Sequence, residues 1–381
     1  MKRRTFVIGT GMVKFGRFPE LSHREFAWPA VREAIIETSL PKDRIDVAYA
    51  SSMLGGMLMG QQVLGKLGLT GLPIINVENA CSSGSTGIGE AVGRIEAGKC
   101  DVALVFGVEM LSKLGGGPLP LSQDDWDAAH GLTMPGIYAM RAQRYLHEYG
   151  IDRSELSHVS VKARANGARN PYAQLQTPVT LEEVEESRMI ADPLRLLHCC
   201  PTGDGAAALV LASEEGVRAS SCDNPIEISA TVVHSGLFEP GPSSMIKSHV
   251  SSKSAIEAYE AAGIGPEDID VAEIHDSFAI AELMYYEAFG FCPPGGAVSL
   301  LKSGATSLGG RHVINPSGGL MARGHPVAAT GVAQVVEIVR QLQGRCGNHQ
   351  VQGARVGLAH ATGGGISGFE HGACGVTILK R

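Results

Sequence analysis

The sequence predicts an α/β fold built from two similar βαβ-type halves. Three observations carry this: a composition suited to a large buried core, a helix–turn–strand plan that occurs twice, and a strand–turn–helix–strand continuation in both copies. Of 381 residues, 44% are hydrophobic and 19% charged, the balance of a globular chain and not of a disordered one. At this length two to three domain-sized units, or one large α/β unit, are expected.

The first copy runs over residues 25–53. A helix with Ala30, Ala34 and Ile35 on one side precedes the turn Leu40 to Val47, and a strand follows from Ala48 to Met53. The second copy covers 254–280: a helix from Ser254 to Gly263, a turn from Ile264 to Val271, and a strand from Ala272 to His275. Both turns end in Ile-Asp-Val, a match too short to prove homology alone. The continuation repeats as well. An apolar strand, Leu72 to Val77, leads to Asn79-Ala-Cys-Ser-Ser-Gly84, then to a helix from Ser82 and a strand from Asp101 to Gly107. In the second half Asn315-Pro-Ser-Gly-Gly319 and Gly324-His-Pro326 lead into a helix from Val327 and a strand from Ala354 to Ala359. Two such units pack about a pseudo-twofold, and the chemistry is expected where their loops meet.

Residues 111–190 break the pattern. Gly115-Gly-Gly-Pro118 and Pro171 mark loops, and helices are predicted over 140–149, 155–166 and 181–188. The segment reads equally as an insertion over the site or as a structural cap. The expected organisation is an N-terminal half from 1–110 and 191–220, this insertion, and a C-terminal half from 221–381.

Charge and cysteine usage narrow the function. A formal net charge of −7 argues against nucleic-acid binding driven by bulk charge. No apolar run reaches the ~18–20 residues that span a bilayer, and the stretch after Lys2-Arg-Arg4 is broken by Gly9 and Gly11, so a cytoplasmic location without a membrane span is expected. The eight cysteines include no Cys-x-x-Cys pair, so no metal site is expected.

One thiol stands out. Cys81 falls on a turn at a helix start, where the helix dipole and free N–H groups favour a thiolate; position alone leaves a buried structural thiol equally open. His275 ends a strand in Glu273-Ile-His-Asp-Ser-Phe278, and His325 precedes Pro326, a residue suited to the first helical position. Each is a proton carrier or a structural histidine. A cysteine activated by histidine is a general nucleophile arrangement. Ala361-Thr-Gly-Gly-Gly365 offers bare N–H groups for an oxyanion, and it lacks the Gly-Lys-Ser/Thr of a phosphate loop.

These motifs lie in one order: Asn79-Ala-Cys-Ser-Ser-Gly84, His275-Asp-Ser-Phe278, Asn315-Pro-Ser-Gly-Gly319 with Gly324-His-Pro326, and Gly363-Gly-Gly365. The chain resembles the thiolase superfamily over nearly its full length, most of all the sterol-carrier-protein-2-type thiolases and their bacterial and archaeal acetyl-CoA acetyltransferase-like relatives. Cys199-Cys-Pro-Thr-Gly-Asp-Gly205 resembles the segment that ends the first half in that branch. The resemblance implies a five-layer αβαβα thiolase fold and a homodimer core. It implies Cys81 as acyl-accepting nucleophile, His325 as its proton acceptor, and His275 beside it at a thioester oxygen. The N–H groups of Cys81 and Gly363 would form a second oxyanion hole, with Asn315 in support. Coenzyme A would be a co-substrate, with no covalently bound cofactor. Met245, Lys247 and Ser254 lie where related chains place CoA-facing loops. A small zinc-ribbon/OB-fold partner protein is a further expectation.

Two departures from the family stand out. Many thiolases move the α-carbon proton with a second cysteine, either in a Cys-x-Gly turn, here Ala361-Thr-Gly363, or after the His-Asp pair, here Ser277. A serine hydroxyl is a poor base, so His275, His325 or His360 is expected to move that proton, with Ser277 at most a relay. The expected reaction is thiolysis of a 3-oxoacyl-CoA or the reverse Claisen condensation, with an aromatic or acid-substituted substrate of the benzoylsuccinyl-CoA type as one candidate. The alternatives are a thiolase-fold aldolase acting on a 3-hydroxyacyl-CoA, a decarboxylating synthase, and a non-catalytic acyl-CoA- or lipid-binding subunit.

Overall fold

Two five-stranded runs with the same internal order meet edge to edge at the centre of the molecule. The computed structural model describes residues 3–121, 124–237, 244–365 and 369–381. In the first half β1 (Thr5–Met12) leads through α1 (His23–Thr38) to β2 (Val47–Ser51), α2 (Met59–Lys66) and β3 (Ile74–Val77), then to α3 (Ser83–Glu96) and β4 (Val102–Met110). The excursion that follows holds α4 (Trp126–Ala129), α5 (Met134–Tyr149), α6 (Ser157–Gly167), α7 (Leu181–Glu186) and the small hairpin of β5 (Met189–Ala191) and β6 (Leu194–Arg195). β7 (Asp204–Ala212) then returns to the sheet, and α8 (Glu214–Ala219) crosses to the second half. That half holds β8 (Ile226–Ser235), α9 (His249–Ala262), β9 (Val271–Glu273), α10 (Ala279–Ala288), α11 (Ala297–Lys302) and β10 (Val313–Ile314). It closes with α12 (Gly319–Ala322), α13 (Thr330–Leu342), β11 (Val356–Gly365) and β12 (His371–Lys380).

The strands lie β3-β2-β4-β7-β1 in one half and β10-β9-β11-β12-β8 in the other, so both halves repeat one topology. β2 is parallel to β3 and β4, as β9 is to β10 and β11, and the remaining pairs are antiparallel. The halves join where β1 pairs with β8 through Thr5–Val7 and Ile226–Ile228. α3 and α13 each touch strands of both halves, while α1 and α2 pack only on the first and α9 only on the second. The sheet therefore folds over the α3–α13 pair, giving the five layers αβαβα of the thiolase fold.

The Ile-Asp-Val repeat has a physical reason. The Asp46 carboxylate accepts the N–H groups of Asp101 and Val102 at 2.8 and 2.9 Å, tying β2 to the start of β4. Asp270 accepts those of Arg355 and Val356 at 2.8 and 3.0 Å, tying β9 to the start of β11. The same side chain closes the same parallel junction in both halves.

The central helices cross at their glycines. A Cβ on Gly84 would come within 2.8 Å of Val332 N, and one on Gly331 within 2.4 Å of Ser85 Oγ. All thirteen residues of α13 are buried. Its apolar side chains contribute roughly 1.5–3 kcal/mol each, and Gln341 near its C-terminal end is paired: its Nε2 donates to Glu337 Oε1 at 2.9 Å and to the His349 carbonyl at 2.8 Å.

Several sequence expectations shift at their ends. The strand expected to reach Met53 stops at Ser51, because the Glu109 carboxylate accepts the N–H groups of Met53 and Leu54 at 2.8 and 3.0 Å and pulls the chain into a turn. The helix expected from Ser254 begins at His249. Pro326 opens a single 3₁₀ turn, Val327–Ala329, and α13 starts only at Thr330. Among the described residues no helix is long and apolar enough to cross a membrane.

Candidate active site

Cys81 is presented by a tight turn between β3 and α3. Ser82 N–H donates to the Asn79 carbonyl at 3.0 Å. Ser83 Oγ accepts from Asn79 N–H at 2.8 Å and donates to the Ala80 carbonyl at 2.6 Å. Ala80 sits at φ 48°, a left-handed conformation uncommon for a residue with a Cβ, and it turns the next side chain out of the strand direction. The end of β11 packs against this turn so closely that a Cβ on Gly363 would lie 2.3 Å from the Asn79 carbonyl oxygen.

The second half brings the imidazoles. His325 Nε2 lies 3.2 Å from Cys81 Sγ, and its Nδ1 lies 2.8 Å from Thr330 Oγ1. With Nδ1–H donating to the threonine, Nε2 remains free to accept the thiol proton. The His275 ring stands perpendicular to that of His325 at a centroid distance of 4.9 Å. Ligand atoms of Cys81, His275 and His325 all lie within 4.8 Å of one another. His275 Nδ1 is buried without a hydrogen-bond partner, so the ring has polar capacity that the protein itself does not use.

The electrostatics correct one expectation. Burial pushes the Cys81 thiol up to about 12, against the opposing pull of the Gly364 N–H. The helix-start position does not produce a resting thiolate, because desolvation outweighs the dipole. Burial, with Arg323 nearby, lowers His325 to about 3, and His275 is lowered well below its usual value by burial and then by His325. The resting pair is a neutral thiol beside a neutral imidazole, and proton transfer must accompany attack.

Cys81, His275, Ser277 and His325 line one cavity of about 330 Å³. Its walls are largely apolar, with Leu111, Leu119, Met134, Ile190, Leu196 and Phe278. Arg188 is the one lysine or arginine among its described lining residues. A larger cleft of about 590 Å³, lined by Arg169, Tyr172 and Arg340, contains none of these groups.

Other expected site residues lie elsewhere. Asn315 is buried as a clamp: its Oδ1 accepts Ile274 N–H at 2.8 Å and its Nδ2 donates to Glu282 at 3.1 Å, so it braces the strand end that carries His275. His360 stands behind His275, within 3.4 Å of its N–H and 3.2 Å of Ser251 Oγ, outside the cavity lining. Ser254 is wholly buried on α9 and closed to a ligand; Met245 is half-buried and Lys247 exposed, and none of the three lines the cavity. Sequence reasoning missed the Gly364 amide, Thr330 and Arg188. A hydroxyl one helical turn beyond His325 was the only signal for Thr330, and nothing in the sequence singled out Arg188.

The thiolase N-terminal domain model matches residues 5–215, and the thiolase C-terminal domain-like model matches residues 242–373. The chain belongs to the thiolase family. Benzoylsuccinyl-CoA thiolase subunit BbsB of Thauera aromatica is 39% identical over 96% of each chain. Acetyl-CoA acetyltransferase of Methanothermobacter thermautotrophicus is 37% identical across the full length of both. Among solved structures the Ltp2-ChsH2(DUF35) aldolase superposes with a TM-score of 0.86 at 25% identity, covering 99% of this chain and 98% of that one. With family and relatives together, this thiolase is an enzyme of the acyl-CoA acyltransferase class.

Proposed function

We propose that this thiolase cleaves a 3-oxoacyl-CoA with CoA, or runs the reverse Claisen condensation, through an acyl-enzyme on Cys81. The observation that carries this is the 3.2 Å contact between Cys81 Sγ and His325 Nε2, each supplied by a different half. His325 takes the thiol proton as sulfur adds to the C3 carbonyl. The C2–C3 bond then breaks, leaving the acyl group on Cys81 and an electron pair at C2. His275 and protonated His325 hold the oxygen of the departing thioester. Incoming CoA thiol attacks the acyl-Cys81, whose carbonyl oxygen faces the N–H groups of Cys81 and Gly363. Intact-mass measurement after incubation with acyl-CoA tests the reading: wild type gains one acyl group and Cys81→Ala gains none. An unmodified wild type that still releases retro-aldol products would move the chain to the aldolase reading, which the likeness to the solved aldolase favours.

The substrate proposed is acid-substituted and bulky. An apolar cavity with Arg188 on its wall suits an aromatic acyl group beside a carboxylate, as in the substrate named for BbsB. A benzoylsuccinyl skeleton cut at C2–C3 gives benzoyl-CoA and succinyl-CoA. Arg188→Met is expected to raise KM for a carboxylated substrate by about tenfold or more and to leave a neutral 3-oxoacyl-CoA within about twofold; equal effects on both would reject the clamp. We also propose a homodimeric core and a cytoplasmic location, and a small zinc-ribbon/OB-fold partner, the last alone supported by the likeness to the solved Ltp2-ChsH2(DUF35) aldolase. Co-purification from the native source tests the partner.

A further inference from the structure

We infer that Cys200 is the acid–base at the substrate α-carbon, a second thiol brought to the site by a segment of the first half. The inference rests on the acyl-transfer reading of Cys81. Breaking C2–C3 leaves an electron pair on C2 that must take a proton, and Cys81 and His325 are already engaged in forming the acyl-enzyme. The two turns at which related enzymes carry a second thiol read Ala361-Thr-Gly363 and Ser277 here.

Cys200 lines the same cavity as Cys81, His275, Ser277 and His325. Its N–H donates to the Ser277 carbonyl at 2.9 Å, and Cys199 pairs with Phe278 as an antiparallel bridge. The 199–200 segment therefore runs alongside the 277–278 segment, and the thiol missing at 277 is present on the adjacent strand-like segment. The segment is held at its far end: the Thr202 carbonyl accepts Gln174 Nε2 at 3.2 Å, and the Asp204 carboxylate accepts Ser112 N–H at 2.8 Å and Phe18 N–H at 2.7 Å. Cys199 lines the cavity too, but its thiol is already engaged, its Sγ donating to the Arg195 carbonyl at 3.4 Å. Cys374 is buried on β12 toward Ser251 and does not line the cavity. His275 Nδ1, buried and without a protein partner, belongs to the same cavity wall, so the space between these groups is lined for a polar substrate atom.

Burial raises the Cys200 thiol well above its usual value, and Cys199, Asp276 and Cys81 push the same way. It is therefore protonated before cleavage, the form that the step requires. In cleavage, the Cys200 S–H proton passes to C2 as the C2–C3 electron pair arrives there, leaving a Cys200 thiolate. That thiolate takes the proton of the incoming CoA thiol as the CoA sulfur attacks acyl-Cys81. The Cys81 thiolate leaves beside protonated His325, which returns its proton, and both cysteines are restored. In condensation the Cys200 thiolate removes the C2 proton.

The test separates carbon–hydrogen chemistry from acyl transfer. Deuterium incorporation at C2 of succinyl-CoA and of acetyl-CoA is followed by mass in D₂O, and acylation of Cys81 by benzoyl-CoA and acetyl-CoA by intact mass. Cys200→Ser and Cys200→Ala are expected to lose exchange by about a hundredfold or more while the Cys81 adduct still reaches its full extent, more slowly, because CoA then leaves as a thiolate without the Cys200 proton. Adding Ser277→Cys to either variant is expected to restore exchange at least about tenfold, since it returns a thiol to the adjacent segment. Exchange within a few-fold of wild type in both variants overturns the proposal. So does parallel loss of exchange and adduct, or loss that Ser277→Cys does not restore, each of which assigns Cys200 a structural role. A wild type that forms no adduct at all overturns the Cys81 reading instead.

Discussion

The two halves repeat one strand order but build the turn before their central helix in different ways. In the first half, residues 79–83 close mainly on their own backbone and nearby side chains, and the product is a half-buried sulfur at the cavity wall. In the second half, residues 315–325 rest on a buried polar framework. Arg323 Nη1 donates to Glu273 Oε2 at 3.0 Å with both side chains fully buried, Ser317 Oγ joins Glu273 at 2.7 Å, and Asp276 accepts Leu320 N–H at 2.7 Å. The difference follows from what each turn presents. A thiolate sulfur carries its lone pairs around the C–S bond and has no ring plane or tautomer to fix, so it needs an amide and an open face. An imidazole works only with its ring plane and tautomer fixed, and fixing them requires charges and hydrogen bonds in the dry interior.

The comparison breaks most visibly at Arg323. Its guanidinium also sits 5.8 Å over the Phe15 ring of the first half. Glu273, raised to about 7 by burial even with this partner, would lose its main compensation. Arg323→Met is expected to cost roughly 3–5 kcal/mol, read as a large fall in Tm. A raised carboxyl is protonated below its folded value and ionises above it. The deficit should therefore grow as pH rises through 7 and beyond, and Glu273→Gln added to the variant should recover part of it. A deficit unchanged from pH 6 to 9, or no recovery in the double variant, would show that the ion pair is not what holds this turn.

The framework also sharpens the comparison through pH. His325, His360 and His371 are each lowered to about 3, chiefly by burial, and His275 is lowered well below its usual value. A histidine with a depressed folded value binds its proton more readily when unfolded. Its contribution is complete above about pH 6.5 and is lost as pH falls toward 3, at up to about 1.4 kcal/mol per pH unit for each ring. Stability by urea titration should fall steeply between pH 6.5 and 4, faster than one such group allows. A midpoint that stays flat over that window would mean these rings are hydrated.

Much of this arrangement was legible before the structure, and the rest was not for identifiable reasons. The repeat could be read because Asp46 and Asp270 act within a few residues of the strands they start. The Cys81 and His325 turns could be read because glycine and proline mark them locally. The thiol's protonation state could not, since the dipole is a local property and burial belongs to the whole fold. Cys200 escaped for a similar reason: its relation to Ser277 is one backbone bond across seventy-seven positions of sequence, and no spacing encodes it. The burial of Ser254 was not legible because the helix begins five residues earlier than expected, placing that residue within it and not at its start.

The smallest effect belongs to the first-half turn. Ser83 Oγ accepts Asn79 N–H and donates to the Ala80 carbonyl, and it is the main side-chain brace of the nucleophile turn. Ser83→Ala is expected to cost about 1–2 kcal/mol, well under the Arg323 variant, because the Ala80 carbonyl keeps the Ser83 N–H at 3.1 Å and water can serve the freed Asn79 N–H. Activity should suffer more than stability. Ala80 is held at φ 48° partly by this hydroxyl, and a small relaxation there lengthens the 3.2 Å Cys81–His325 contact. The measurement is the rate of Cys81 acylation set against Tm. A variant that loses stability as Arg323→Met does, with acylation unchanged, would reverse the contrast between a turn that aims an atom and a turn that holds a ring.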